Sequence, residues 1–501
     1  FAHYDYWDDR VRNSILVDSG ADVLMYGMGE KTIVRLAELL DRGVPVRKIR
    51  DVRGTAFICK VKDGIETHYP VDRGTEEDPF PGYDYDELKE NKEVYAEAFR
   101  RQYRNNDSVY GKAIVEYYGD RAVVVNPPMP PLTTEEMDKV YSLPFMRTYH
   151  PSYETMGGVP GIEEVKFSII HNRGCYGACN FCSLAYHQGR QIATRSHESV
   201  IEEAKQITEM PDFKGYIHDV GGPTANFRAP SCEAQLKRGL CADKKCMAPK
   251  LCPAVNVDHS DYLSLLRKLR KLPKVKKIFI RSGIRFDYLI ADKDETFFKE
   301  LVEHHVSGQL KVAPEHCSDD VLKRMGKPPV EVYNRFKKRF YELTQSVGKK
   351  QYLVPYLMSS HPGSTLKDAI ELSLFLKREG LHPEQVQDFY PTPGTVSTCM
   401  FYTGLDPYTM EEVYVPRTPQ EKAQQRALLQ YYKPENKKLV YDALRRAGRH
   451  DLIGTGKNCL VAPMQPEPQK KAQQTGKKKQ QNSKSKQSYN KPYSKQKGKR
   501  R

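Results

Sequence analysis

The sequence predicts an α/β fold built from six strand–loop–helix repeats between residues 164 and 400. Six short apolar segments, each the length of a buried strand, are separated by stretches that suit helices of roughly ten to twenty residues. Each segment ends in a motif that carries glycine or polar residues, and helical connections of this kind join parallel strands. We therefore expect an open (β/α)6 partial TIM barrel, with its active site at the carboxyl ends of the strands.

The six predicted strands span residues 165–170, 215–220, 275–280, 309–313, 352–357 and 386–389. The first crossover helix should run from Ser196 to Met210, because serine is a favoured N-cap and Glu198 suits the first turn. The motifs after the strands are, in order, the cysteine-rich loop 171–190, Gly221-Gly222-Pro223-Thr224, Arg281-Ser282-Gly283, Pro314-Glu315-His316, 358–363 and 390–394.

The regions that flank the barrel are predicted from local patterns. A strand over 21–27 feeds a glycine turn and a helix with Ile33, Leu36, Leu39 and Leu40 on one stripe, which is typical of a doubly wound fold. We interpret residues 1–45 as the C-terminal part of a truncated Rossmann-like domain. The remaining divisions are an irregular connector over 46–163 with a helix at 86–101, the barrel core over 164–400, a helical C-terminal extension over 401–462 with helices at 420–431 and 435–447, and a disordered basic tail over 463–501.

Composition restricts the class of protein. Residues 470–501 contain eleven lysines, two arginines and no acidic residue, which leaves +3 of the net charge of +16 for the rest of the chain. No run approaches the roughly eighteen apolar residues of a membrane span, so no membrane partner is expected. Eleven cysteines, most of them close together, favour metal sites in a reducing compartment, hence a cytoplasmic protein. The chain begins at Phe1 without an initiator methionine, and we expect it to be a fragment.

The most specific motif holds Cys175, Cys179 and Cys182 at C-x3-C-x2-C spacing, with Phe181 before the third cysteine. Thiolates this close can converge on one metal cluster, and three ligands leave the fourth iron of a cubane open for chemistry. Gly174 and Gly177 would let the backbone wrap tightly around the cluster. A zinc knuckle is the alternative, with His187 as its fourth ligand.

This motif resembles the signature of radical S-adenosylmethionine (SAM) enzymes, and the run from Asn172 to Arg190 resembles the YgiQ-type branch of that superfamily. The resemblance implies a [4Fe-4S] cluster that binds SAM, a one-electron donor such as flavodoxin or ferredoxin, and release of a 5′-deoxyadenosyl radical. Residues 1–45 resemble the end of the cobalamin-binding-like domain of many relatives. The Asp-x-His-x-x-Gly motif for cobalamin is absent from this sequence.

The resemblance also implies cofactor contacts. Gly221 and Gly222 would meet the methionine amino group of SAM, although a plain tight turn would look the same. Arg281 and Ser282 would contact the ribose or the carboxylate, although an arginine here could also form a salt bridge in the barrel mouth. Phe181 would pack beside the cluster and the adenine.

Glu315 and His316 are the candidate catalytic residues. They follow a strand directly and would face SAM or substrate, with His316 able to transfer a proton. The alternative is that Pro314-Glu315 simply begins the next helix. His187 would contact substrate or cap the cysteine loop, and Arg195 is a weaker candidate for binding a carboxylate.

A second cysteine group, Cys232, Cys241, Cys246 and Cys252, lies in an insertion with few core-forming residues. A four-thiolate site would supply the free energy needed to order such a segment, with zinc or an auxiliary iron–sulfur cluster as the metal. Free thiols are the alternative. The other cysteines are expected to be ordinary small hydrophobic residues.

The sequence thus predicts a radical SAM enzyme with an unknown substrate. Modification of RNA or of a ribosomal component is one variant, since the lysine-rich tail with Tyr489 and Tyr493 suits salt-sensitive contact with RNA or another polyanion. The alternative from another class is a non-catalytic, metal-stabilised nucleic-acid-binding protein.

Overall fold

The computed structural model describes residues 1–76 and 80–464, so the predicted basic tail lies almost wholly outside the described residues. The strands are β1 His3–Asp5, β2 Arg10–Arg12, β3 Val23–Met25, β4 Thr55–Lys60, β5 Tyr83–Asp84, β6 Ile114–Tyr118, β7 Arg121–Val125, β8 Ser168–Ile170, β9 Asn172–Arg173, β10 Ala193–Thr194, β11 Tyr216–Ile217, β12 Asp219–Gly221, β13 Lys277–Ile278, β14 Gln309–Glu315, β15 Tyr352–Ser359 and β16 Gln387–Asp388.

The α-helices are α1 Ile15–Ser19, α2 Glu30–Asp41, α3 Tyr85–Glu90, α4 Lys92–Asn105, α5 Thr134–Tyr141, α6 Ile162–Val165, α7 Leu184–His187, α8 His197–Thr208, α9 Glu233–Arg238, α10 Ser260–Arg270, α11 Phe286–Leu289, α12 Thr296–Glu300, α13 Asp319–Met325, α14 Val330–Ser346, α15 Leu366–Glu379, α16 Val396–Thr403, α17 Pro419–Leu429 and α18 Lys437–Arg446. In the described part of the chain, no helix combines the length and apolar character that crossing a membrane requires.

The N-terminal third forms a five-stranded sheet in the order β3-β4-β7-β6-β5. The pairs β3–β4, β4–β7 and β7–β6 are antiparallel, and the edge strand β5 pairs in parallel with β6. Alternation along β7 covers both faces, because Val124 packs with Phe57 on one side while Val123 and Val125 pack with Leu16 on the other. The sheet is therefore a sandwiched layer with its own two small cores.

This sheet corrects two sequence predictions. Residues 46–163 are not an irregular connector, because they supply four of the five strands. Residues 1–45 are not the end of a Rossmann-like domain, because β3 pairs antiparallel with β4 rather than in a parallel βα arrangement. The predicted strand, turn and helix are present as β3 and α2. Whether β3 runs parallel or antiparallel to its neighbour, however, depends on β4, which comes later in the chain. The helix expected at 86–101 is two helices, divided at Asn91, which caps α4.

The central region confirms the α/β prediction. Elements β8, β11 with β12, β13, β14, β15 and β16 lie where the six strands were predicted, although several are shorter. Parallel pairings join β8 to β12, β11 to β13, β14 to β15, and β15 to β16. Among the described residues no ladder joins β13 to β14, although the Ile280 N–H donates to the His305 carbonyl at 3.2 Å. The largest apolar core lies between these strands and helices α8, α10, α14 and α15.

The predicted first crossover helix is confirmed as α8, and Ser196 caps it by accepting from the Ser199 N–H. The predicted C-terminal helices are confirmed as α17 and α18, which pack on α15 around Ile370, Leu428 and Leu444. The predicted boundary at residue 400 falls inside α16, however, and Phe1–Pro463 forms one compact unit. The predicted divisions before the tail are thus layers of one body rather than separate domains.

Candidate functional site

The cysteine motif lies on a loop between β9 and α7, at the carboxyl end of β8. The loop is closed at its base because the Cys175 N–H donates to the Gly189 carbonyl at 3.0 Å, and β9 pairs with β10. Gly174 has φ +82°, and a Cβ there would lie 2.1 Å from the Gln191 carbonyl oxygen. Only glycine allows the chain to turn at this point.

Gly177 is required for a different reason. Its φ is not positive, but a Cβ there would lie 2.7 Å from Arg285 Nη1 and 3.2 Å from Cys175 Sγ. The absence of a side chain therefore lets the guanidinium of Arg285 approach the thiols. This contact involves the 281–285 segment, which follows β13.

The three thiols are in unequal electrostatic surroundings. Burial raises the pKa of Cys175, and burial together with Cys179 raises the pKa of Cys182 to about 11. Burial acts in the same direction on Cys179, but the charges of Lys327 and Arg285 outweigh it and lower the pKa of that thiol. Cys179 is thus the thiol that most readily becomes a thiolate.

Arg285, together with Lys327, is one of two buried cations that the sequence analysis missed. It is buried, its Nη1 donates to Cys179 Sγ at 3.2 Å, and its other nitrogens donate to the two oxygens of Asp287 at 2.7 and 2.9 Å. Its backbone N–H donates to Asn226 Oδ1 at 2.8 Å. The only advance signal was the Arg-x-Asp spacing just beyond the third strand, which is common outside functional sites.

Arg281, which was predicted to contact the ribose or the carboxylate of SAM or to form a salt bridge, does not lie beside the thiols. Its side chain is 44 % exposed, and the nearest carboxylate oxygen, from Glu164, is 3.9 Å away. Its backbone N–H, with that of Ser282, donates to Asp219 Oδ1 at 2.7 and 3.2 Å. The strand is shorter than predicted, so the turn begins earlier and the first arginine is directed outward.

Gly221 and Gly222 lie at the end of β12, where neighbouring side chains leave no room for a Cβ atom. A Cβ on Gly221 would be 1.7 Å from Ser282 Oγ, and one on Gly222 would be 1.8 Å from Asn172 Oδ1. Asn172 Oδ1 is buried and accepts no hydrogen bond from the part of the chain that the structure describes. The glycines therefore let the ends of β9, β12 and the 281–283 turn meet at one place.

Glu315 is buried at the end of β14 with φ +69°, a strained conformation for a non-glycine residue. Lys327 Nζ, also buried, lies 3.9 Å from its Oε1. Burial raises the pKa of Glu315, with Lys327 and Arg285 opposing that effect. Glu315, Lys327, Arg285 and Cys179 therefore belong to one electrostatic cluster.

The ring of His316 is not placed to transfer a proton to SAM or substrate, as the sequence analysis expected. Its Nδ1 accepts from the Ser318 N–H at 3.0 Å, in the turn that precedes α13, and burial lowers the pKa of the ring to about 4. The neutral imidazole is thus engaged with the backbone of this turn. The alternative for the motif is wrong as well, because Pro314 and Glu315 end β14 and the next helix begins only at Asp319.

The remaining candidates have simple surroundings. Phe181, on the cysteine loop itself, is half-buried, and its ring meets that of His361 edge-on with centroids 6.2 Å apart. His187 is exposed at the end of α7. Arg195 is not a ligand-binding residue in this conformation, because it is 1 % exposed and is paired with Glu203 and the Ile170 carbonyl.

Three members of the second cysteine group meet at one cavity of about 220 Å³, which Cys232, Cys241 and Cys246 line. Cys252 does not line it, but its backbone N–H donates to the Cys246 carbonyl at 2.9 Å. All eleven cysteines are free thiols. Within the described residues, no three His, Cys, Asp or Glu side chains are close enough to share a single metal ion.

The cysteine loop nevertheless fits an iron–sulfur cluster. Three thiols on one glycine-shaped loop are the donor set that such clusters take, and each thiolate binds a different iron, so the sulfurs need not meet at one ion. Arg285 and Lys327 are buried cations that offset the charge of these thiolates.

Comparison with known families identifies the class of protein that this fold and loop define. Residues 1–168 match the family described as "Radical SAM N-terminal", 169–376 match "Radical SAM superfamily", and 384–501 match a domain of unknown function, DUF3362. The chain is a radical SAM enzyme, and its superfamily supports a [4Fe-4S] cluster and SAM as cofactors.

Two curated relatives with high sequence identity show which family the chain belongs to. A "UPF0313 protein" of Clostridium perfringens (strain ATCC 13124) is 56 % identical over 461 residues, which cover 92 % of this chain and 68 % of the relative. One of Clostridium botulinum (strain ATCC 19397) is 56 % identical over 466 residues, covering 93 % and 70 %. The chain belongs to the UPF0313 family.

Solved structures are more distant. The methyltransferase TsrM from Kitasatospora setae, with tryptophan and a SAM analogue bound, is 13 % identical with a TM-score of 0.37, covering 73 % of this chain and 51 % of its own. The cobalamin-dependent enzyme OxsB, with aqua-cobalamin bound, is 12 % identical with a TM-score of 0.42, covering 87 % and 61 %. This chain therefore spans about half the length of TsrM.

Proposed function

We propose that this chain holds a site-differentiated [4Fe-4S] cluster through Cys175, Cys179 and Cys182 and binds SAM beside it. When bound, these groups would supply reductive cleavage of the SAM sulfonium and a 5′-deoxyadenosyl radical that abstracts hydrogen from a substrate. The observation that carries the proposal is the convergence on Cys179 of a thiol loop and two buried cations. We further propose that the six strands close into a (β/α)6 partial barrel around this loop.

Two residues outside the cysteine loop would stabilise its thiolates by hydrogen bonding. Arg285 donates to Cys179 Sγ at 3.2 Å, and Thr224 Oγ1 lies 3.3 Å from Cys175 Sγ, where its hydroxyl can donate to a thiolate. Hydrogen bonds to a thiolate sulfur stabilise its charge and tune the potential of a cluster that it ligates. Gly177 gives Arg285 the room to do this.

SAM would lie over the ends of β12, β13 and β14. The backbone at Gly221 and Gly222, with Ser282, would face its methionine part, and Phe181 its adenine. Arg285 takes the role that the sequence assigned to Arg281, because it is the buried arginine beside the cluster loop. Glu315 is the better candidate for contact with substrate or the SAM ammonium, since strained backbone is common at functional sites.

A one-electron donor of the flavodoxin or ferredoxin class would supply the electron, and eleven free thiols suit the reducing cytoplasm. RNA or a ribosomal component remains a candidate substrate because of the charge of residues 470–501.

The test is anaerobic reconstitution with iron and sulfide, followed by reduction and quantification of 5′-deoxyadenosine formed from SAM. Alanine at Cys175, Cys179 or Cys182 should abolish product, while Cys459→Ala, at a thiol in the C-terminal region, should leave it unchanged. A protein that makes no 5′-deoxyadenosine yet binds RNA at moderate salt would instead be the metal-stabilised binding module.

A further inference from the structure

We propose that the insertion between β12 and α10 holds a second iron–sulfur cluster, ligated by Cys232, Cys241 and Cys246, with Cys252 as the fourth thiolate. This site is separate from the SAM-binding loop and does not rest on the function proposed above. The first observation is the cavity of about 220 Å³ that the first three of these cysteines line.

The segment around the cavity has no regular secondary structure: between Gly239 and His259 it forms neither helix nor strand. Its apolar contacts come from a small group of side chains, Met247, Leu251, Val255 and Val257. Ordering such a segment costs conformational entropy. A cluster held by several thiolates would contribute free energy that offsets this cost, as metals do in other small regions.

Cys232, Cys241 and Cys246 lie on the walls of one cavity. Among the described residues, no group of three His, Cys, Asp or Glu side chains is arranged to hold a single metal ion. In a cluster each thiolate binds its own iron, so thiols spread around the walls of a cavity are the expected arrangement.

The cavity also lies directly behind the first cysteine loop. Tyr176, the residue after Cys175, lines it and stacks on Phe227 with ring centroids 3.8 Å apart. Cys175 and Cys246 pack against the same apolar group of Tyr176, Ile192, Phe227, Met247 and Tyr288. One layer of side chains therefore separates the two thiol groups.

Lys245 ties the insertion to that loop. Its side chain is mostly buried, and its Nζ donates to the Ala178 carbonyl at 2.9 Å and to Asn180 Oδ1. It is adjacent to Cys246 in the chain, so a cluster that fixes Cys246 also fixes this contact.

The test is iron and sulfide analysis of the full chain after anaerobic reconstitution, since each cluster contributes about four irons. Wild type should hold about eight irons per chain. The triple variant Cys232→Ala/Cys241→Ala/Cys246→Ala and the triple variant Cys175→Ala/Cys179→Ala/Cys182→Ala should each hold about four. The matched control Cys59→Ala/Cys459→Ala should hold as much as wild type.

Three results would overturn the proposal. Wild type could saturate at about four irons, the first triple variant could retain the full complement, or the site could take one zinc per chain. If the first triple variant fails to fold, the second decides, because its residual cluster can reside only at the insertion. A residual Fe–S absorption there supports the second site even when the SAM site is lost, whereas none contradicts it. Limited proteolysis of residues 239–258, faster without iron, reports the ordering directly.

Discussion

At the scale of single residues, variants of the ion pair Arg285–Asp287 distinguish the contribution of Arg285 to fold stability from its effect on iron binding at Cys179. Arg285→Met leaves Asp287 charged and buried without its partner, which typically costs about 3–5 kcal/mol of stability. Arg285→Met/Asp287→Leu removes both charges and should recover most of that loss, as measured by urea unfolding of the iron-free chain. Neither variant should retain iron as wild type does, because Cys179 has lost its hydrogen bond. Full iron retention by the double variant would contradict this role.

Gly177 gives a second residue-scale prediction. Gly177→Ala places a methyl group 2.7 Å from Arg285 Nη1, so the guanidinium must withdraw from Cys179. We expect a several-fold loss of bound iron after gel filtration, whereas Gly161→Ala, where a Cβ meets no atom within 4 Å, should behave as wild type. Equal iron contents in the two variants would show that the approach of Arg285 is unimportant.

At the scale of elements, the five-stranded sheet predicts that both faces of β7 are buried. Val123→Ala and Val124→Ala remove methyl groups from opposite cores, and each should lower the free energy of unfolding by roughly 2 kcal/mol. Denaturant titration measures both. In an irregular connector, at least one of these changes would be nearly neutral.

A hydrogen-bonded chain joins α10 to the cysteine site and gives a prediction for pH. His259 Nδ1 lies 2.6 Å from Asp292, its Nε2 lies 3.1 Å from the Asn226 amide, and Asn226 holds Arg285. Burial favours the neutral acid, but the hydrogen bond with His259 outweighs it and lowers the pKa of Asp292. A depressed acid pKa stabilises the fold above the unfolded pKa of about 4, and this contribution is lost as the pH falls through the folded value.

Asp292→Asn should therefore reduce stability at neutral pH, and the difference from wild type should shrink as the pH falls below about 4. Urea unfolding of the iron-free chain across this range measures it. A difference that does not change with pH would mean that the Asp292 charge contributes nothing.

Local patterns explain what could be predicted at this scale. The positions of β8, β14, β15, α8, α17 and α18 followed from apolar runs, caps and periodicity. The sheet of β3 to β7 could not be predicted, because its order depends on pairings between distant segments. Arg285 was missed for a related reason. Its contact with Cys179 depends on the space left by Gly177, which lies far earlier in the chain. The contacts of His316 and Arg195 likewise depend on packing.

At the scale of the whole molecule, every residue assigned to the two sites lies in the compact unit Phe1–Pro463. Truncation after Met464 should therefore leave iron content and 5′-deoxyadenosine formation unchanged. If the tail contacts RNA, the truncation should weaken binding and reduce its salt dependence, because thirteen basic residues are removed. Loss of SAM cleavage on truncation would place part of the site in the tail.

The account depends most directly on the amount of 5′-deoxyadenosine that the reduced, reconstituted chain makes from SAM. We predict product in wild type and in Cys459→Ala, and none in Cys175→Ala, Cys179→Ala or Cys182→Ala. Product formed at wild-type levels by any of these three variants, or no product from an iron-replete wild type, would contradict the assignment of the loop.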